Sequence, residues 1–146
     1  MKTLFLLQLV STFYMTGLIW FVQIVHYPLF ALVGRARFTR YQQAHQIRTS
    51  FAVGPMMLTE AATTVAIVYW PPPGMGPAFT WTGVGLLFVV WFSTALLQVP
   101  RHQVLASRFS PRHIRSLVIS NWLRTIAWTA RSVLLLIYLA QVFPNK

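Results

Sequence analysis

Four long stretches of this chain hold almost no charge, and nothing else in the sequence constrains the fold as strongly. They run from Leu4 to about Val33, from about Thr49 to Trp70, from about Ala78 to Val99 and from about Leu117 to Ala140. A helix needs about 20 mostly apolar residues to cross the hydrocarbon of a bilayer, and each stretch supplies them. A water-facing domain carries about 25% charged residues. Here 9% of 146 residues are charged and 56% are hydrophobic, so a soluble surface could not be dressed. Backbone groups in lipid must bond among themselves, which selects helices. Short connections make sequential helices antiparallel. The expected fold is all-α: one domain over residues 1–146, a four-helix transmembrane bundle running up-down-up-down, with the lipid bilayer as its first partner.

The connections set the orientation. Arg35, Arg37, Arg40 and Arg48 lie between the first two stretches, and Arg101, Arg108, Arg112 and Arg115 between the last two. The middle connection, from Pro71 to Pro77, is a stiff turn with no charge. Basic loops stay on the cytoplasmic side, so the proline turn and both termini are expected on the non-cytoplasmic side. Tyr69, Trp70 and Trp81 would sit there at headgroup level. The net charge of +11 then reads as contact with anionic headgroups, and no nucleic-acid partner is expected. The expected location is a membrane, the bacterial inner membrane. Met1-Lys2 resembles the start of a signal peptide. The run behind it is too long for a signal h-region and lacks a small-x-small cleavage site, so it is read as a retained first span. The stretch from Arg35 to Arg48 is either an interfacial helix or an extension of the second span. With no cysteine, disulfides and thiolate metal sites are excluded.

Polar groups inside a bilayer are costly and usually face the bundle interior. Span one offers Gln8, Thr12, Thr16, Gln23 and His26; span two offers His45, Arg48, Thr59, Glu60 and Thr63. Span three carries Thr94, Gln98 and His102 at spacings of four, and span four carries Asn121, Arg124, Trp128 and Arg131 at three, four and three. By helical rise, His26, His45, His102 and Asn121 fall in one layer near the cytoplasmic face. Glu60 lies deeper, closer in depth to Arg124 and Arg131. As the only acidic residue, it reads as an ion-pair partner of Arg124 or Arg131, as a metal ligand or proton acceptor, or as a protonated, hydrogen-bonded acid. The three histidines read as interhelical or headgroup contacts. Alternatively His26, His45 and His102 with Glu60 form a metal set suited to Zn, Fe or Cu, or a histidine pair holds a haem. Gln23 and Gln98, on the same faces, are candidate cofactor-binding residues. His113, after Pro111, reads as solvated surface. There is no His-Glu-x-x-His, no phosphate loop and no Ser-His-Asp set, because Asp is absent. The 15% aromatic content, six Trp included, reads as membrane packing or, more sharply, as a bed for a flat aromatic ligand or quinone.

Several short segments carry a family likeness: Gly17 followed by His26-Tyr27-Pro28, then Gln98-Val99-Pro100-Arg101-His102 with Leu105, then Asn121-Trp122-Leu123-Arg124-Thr125. The chain resembles the anthrone-oxygenase-like family of small four-span membrane proteins, whose Asn-x-x-Arg-Thr motif opens the fourth helix. It departs from that pattern with His102 where the family usually has Asn, and with Ser120 where it has Trp. His45 and Glu60 have no counterpart in the pattern. The resemblance implies oxygenase chemistry on a lipophilic aromatic substrate.

Two functions compete. One is an intramembrane oxygenase or oxidoreductase acting on a lipophilic small molecule. In it His26, His45, Glu60 and His102 bind a metal or act as acid and base, while Asn121 and Arg124 orient substrate. The other is a non-catalytic accessory subunit, bound to membrane-protein partners or to further copies of itself as a homo-oligomer, with histidines ligating haem or pigment. A small transporter or channel comes third, since four spans without a repeat make a poor pathway.

Overall fold

The computed structural model describes residues 1–142. Among these, four helices are long and apolar enough to cross a membrane: α1 (Lys2–Leu32), α2 (Arg35–Tyr69), α3 (Pro77–Ser107) and α4 (Pro111–Val142). They have 31, 35, 31 and 32 residues. At about 1.5 Å per residue they exceed the roughly 30 Å of hydrocarbon, so each projects into the headgroup region. The basic stretch from Arg35 to Arg48 is the opening of α2 and not a separate interfacial helix. The helices pack in a ring, each on its sequence neighbours, closed by α1 against α4. This is the expected all-α four-span bundle.

Two short loops make the basic end and one makes the opposite end. At Val33 the backbone turns extended, and the Gly34 carbonyl accepts from the Arg37 amide as α2 starts. The turn between α2 and α3 is closed by the Met75 amide on the Pro72 carbonyl. It needs the left-handed Gly74, with φ of 82°. Tyr138 of α4 donates to the Pro73 carbonyl at 2.8 Å and ties the turn down.

Pro28 and Pro100 lie inside α1 and α3, where a proline lacks the amide proton and clashes with the carbonyl four residues back. In both helices the turn before the proline widens to π geometry, over Val22–His26 and Thr94–Gln98. The extra residue shifts the side-chain register by about 100°. Gln23, His26, Gln98 and His102 all lie in or just after these wide turns, so the two prolines set how the basic end of the bundle presents its polar groups.

The interior is as polar as it is apolar. Among the described residues seventeen hydrophobic and seventeen polar or charged side chains are buried. Phe30, Phe38, Leu105, Leu117 and Trp128 are wholly enclosed, whereas Leu6, Val10, Leu58, Phe88 and Ile126 lie more than half exposed on the outside. Such a surface suits lipid, and the polar groups turn inward to find one another.

Candidate functional site

The polar interior separates into two regions. The deeper one centres on Glu60, whose side chain has no exposure. Its Oε1 accepts from Arg131 Nε at 2.8 Å and from Thr12 Oγ1 at 2.8 Å; its Oε2 accepts from Trp128 Nε1 at 2.8 Å. Arg131 spends its other donors on Thr64 Oγ1 at 2.9 Å and on the Gly83 carbonyl. Gln8 joins in, donating to Thr12 Oγ1 at 2.9 Å and accepting from Thr63 Oγ1 at 2.7 Å. All four helices contribute, and none of the charged groups is left without a partner. A buried ion pair holds a fold when its remaining hydrogen-bonding capacity is met in this way. Of the two arginines considered for Glu60, the fold selects Arg131.

The second region lies toward the basic end. His26 Nε2 and His45 Nδ1 are 2.9 Å apart, and Thr49 Oγ1 is 3.0 Å from the same His45 nitrogen. The His45 and His102 rings lie 5.4 Å apart between centroids. Gln42 Nε2 donates to His102 Nδ1 at 2.6 Å, and His102 Nε2 meets the Tyr27 hydroxyl at 2.9 Å. With the amide nitrogen donating to Nδ1, the neutral ring keeps its proton on Nε2 and gives it to the Tyr27 oxygen. The Tyr27 hydroxyl proton is then free for another acceptor. Gln46 Nε2 donates to the His102 carbonyl at 2.6 Å and fastens α2 to α3. Among the described residues, His45 Nε2 has no hydrogen-bond partner.

Beside this layer a half-open cavity of about 310 Å³ lies between α2, α3 and α4, with Tyr27 of α1 completing its lining. Tyr27, His45, Thr49, Gln98, His102 and Arg124 line it, and Ser50, Val99 and Gln103 form an exposed rim between α2 and α3. Counting from Tyr69 and Pro77, that rim lies about 28 Å along α2 and about 33 to 39 Å along α3, where the hydrocarbon gives way to the headgroups. The size is at the lower end of small-molecule sites.

The buried side-chain atoms without a hydrogen-bond partner, among the described residues, are Gln42 Oε1, Gln98 Oε1 and Arg124 Nε. Gln98 and Arg124 line the cavity and Gln42 stands behind His102. Arg124 lies 5.1 Å over the Trp128 ring, and its Nη1 is 3.4 Å from Asn121 Oδ1. Asn121 is wholly buried and donates to Gln23 Oε1 at 2.9 Å, while Gln23 Nε2 donates to the Val118 carbonyl at 3.2 Å.

The expected residues therefore fall into separate groups. His26, His45 and His102 come together, and Gln98 and Arg124 join His45 and His102 on the cavity wall. Asn121 and Gln23 do not reach it; they stand behind Arg124 and hold it. Glu60 does not join the histidines, because Arg131, Thr12 and Trp128 occupy it. The four-membered metal set of His26, His45, Glu60 and His102 is accordingly not assembled. Among the described residues no group of three or more such side chains is placed to hold an ion. Both His102 nitrogens have protein partners. Two axial ligands on one iron need about 4 Å between nitrogens, from bonds of about 2 Å each. The His26–His45 pair, at 2.9 Å, leaves no room for a haem between them. Tyr27, Gln42, Gln46 and Thr49 are further members of the site. The last three share a face of α2 with His45, at spacings that a helical reading of 42, 45, 46 and 49 reveals.

Compared with family models, with curated proteins and with solved structures, the chain matches none.

Proposed function

We propose that this chain is an intramembrane oxidoreductase of the oxygenase kind, which removes a proton from a lipophilic substrate held in the cavity between α2, α3 and α4. One observation carries the reading: His45, with a ring nitrogen unengaged by protein, shares a cavity wall with the hydrogen-bonded His102–Tyr27 pair. A base and a hydroxyl donor on one wall suit acid–base work on a carbon acid. Gln42 fixes the His102 tautomer, and Thr49 and His26 hold the His45 ring. The rim at headgroup level admits a substrate dissolved in lipid. The resemblance to anthrone-oxygenase-like proteins points to an activated methylene as the substrate carbon. His45 takes a methylene proton, the resulting carbanion is oxidised by dioxygen, and the balance is CH2 + O2 giving C=O + H2O. The basic end, with the site, faces the cytoplasm in this reading, and the membrane is the bacterial inner membrane.

The test uses the full chain in lipid nanodiscs, with anthrone as probe under air, following dioxygen uptake and quinone formation by mass spectrometry. Turnover should exceed that of empty nanodiscs and fall about 100-fold or more in His45→Ala, as for loss of a general base. His102→Ala should fall less, since Tyr27 remains. Turnover equal to that of empty discs overturns the reading.

A second reading, a subunit docked in a larger membrane assembly, draws on the outer face of α3. There Trp81, Phe88 and Phe92 are exposed, and the Phe88 and Phe92 rings stack at 5.4 Å. Extraction in mild detergent and native mass measurement separate the two: a lone monomer argues against the assembly.

A further inference from the structure

The sequence contains one acidic side chain, and the fold gives it to Arg131. Arg124 lies seven residues earlier on the same helix, about 10 Å away along its axis. It is equally enclosed, at 6% exposure. A buried guanidinium without a counter-ion is costly. The compensation present is the face of Trp128, a long contact to Asn121 and the nearby Tyr27 hydroxyl, none of them an anion. Its Nε finds no acceptor among the described residues, and the Gln98 carbonyl oxygen, on a side chain 1% exposed, finds no donor. Both residues line the same cavity. The residues that carry this unused cationic donor and unused neutral acceptor are together complementary to a ligand with an anionic oxygen and a hydroxyl or amine group.

We propose that the cavity is an oxyanion site: it binds a lipophilic ligand by a negatively charged oxygen on Arg124 and by a donor group on Gln98 Oε1. Val53 and Val99 of the lining receive the apolar body. Asn121, held by Gln23, positions the guanidinium. The proposal rests on the oxidoreductase reading only in naming substrate as the ligand. An enol or phenol that loses its proton at His45 acquires its charge in the cavity where Arg124 can hold it. The same chemistry is offered by the phosphate of an anionic lipid, since the rim opens at headgroup level.

Binding tests this without turnover, so failure of the oxygenase reading leaves it standing and the reverse also holds. The full chain in phosphatidylcholine nanodiscs is titrated with 4-hydroxy-2-naphthoate and with the neutral 4-hydroxy-2-naphthamide, whose hydroxyls cannot bond internally, read by naphthalene fluorescence. The anion should bind roughly ten- to a hundredfold tighter than the amide, the scale of a desolvated charge-assisted contact. Arg124→Gln should abolish that preference and keep amide binding, and Arg124→Lys should retain part of it. Gln98→Leu should weaken both probes several-fold, since both offer the hydroxyl. Arg112→Gln, on the exposed start of α4, should leave the preference intact. Discs containing phosphatidic acid identify the source of the anion. If naphthoate binding falls in the wild type and not in Arg124→Gln, headgroup phosphates occupy the site; if it holds, the site is kept for a substrate acid. Equal affinity for the two probes in the wild type overturns the proposal, and so does a preference that survives Arg124→Gln in protein that elutes as a folded species.

Discussion

Arg131 and Arg124 lie on one face of α4, both almost without exposure, yet their surroundings are opposites. Arg131 enters a network in which carboxylate and hydroxyl partners from α2 and a carbonyl from α3 meet its donors. Arg124 faces a cavity with an idle donor, beside a glutamine with an idle acceptor. A region with every partner present reads as scaffold. A region with partners missing, around an open space, reads as kept for a ligand. These two ionisable residues of one membrane span divide by the completeness of their hydrogen bonding, and not by their charge.

Glu60 is where the two arginines differ most. Glu60→Leu strands the Arg131 charge in the interior and removes an acceptor from Thr12 and Trp128. The expected loss is about 3–5 kcal/mol, enough to unfold much of the population in detergent. The double substitution Glu60→Leu with Arg131→Leu should recover most of that loss, since no bare charge remains. Resistance to unfolding by a denaturing detergent, measured on both, decides. A single substitution that leaves stability unchanged would remove Glu60 from the scaffold.

The opposite sign is expected at Arg124. Arg124→Met takes away a charge that has no carboxylate and keeps an apolar stem over Trp128. Stability should hold or rise, by about 1 kcal/mol, in the same unfolding assay. A fall as large as that of Glu60→Leu would make the two arginines alike and erase the distinction drawn between the regions.

Much of this organisation is legible in the sequence. Four apolar runs fall within the four helices, to within a residue at Val33 and Trp70, and the polar spacings place the histidines of three spans in one layer. The start of α2 is not legible from hydropathy, because a helix continues through the headgroup region where Arg35, Arg37 and Arg40 meet water. Nor is the choice of Arg131 over Arg124 as partner of Glu60. The three, four and three spacing puts both arginines on the same stripe, and only the relative heights of α2 and α4 in the packed bundle separate them. Asn121 and Gln23 look like site residues for the same reason. They share a face with the cavity residues, but depth behind that face is a property of packing. The π turns before Pro28 and Pro100 also escape a reading based on 3.6 residues per turn, although the prolines themselves mark the places.

Two threonines give the smallest and sharpest contrast. Thr12 donates to Glu60 and accepts from Gln8, so Thr12→Val removes two links of a closed network. An interhelical hydrogen bond in a membrane is worth about 0.6 kcal/mol on average and up to about 1.7, so a loss of about 1 kcal/mol is expected. Thr49 touches only His45 Nδ1, which keeps His26 as a partner, and it borders the cavity. Thr49→Val should therefore cost about 0.5 kcal/mol or less while changing how the His45 ring is held. That change is read in the turnover assay and not in the unfolding assay. If the two valines shift unfolding equally and neither alters turnover or probe binding, the cavity is as much scaffold as the glutamate network, and the contrast between the two arginines loses its functional meaning.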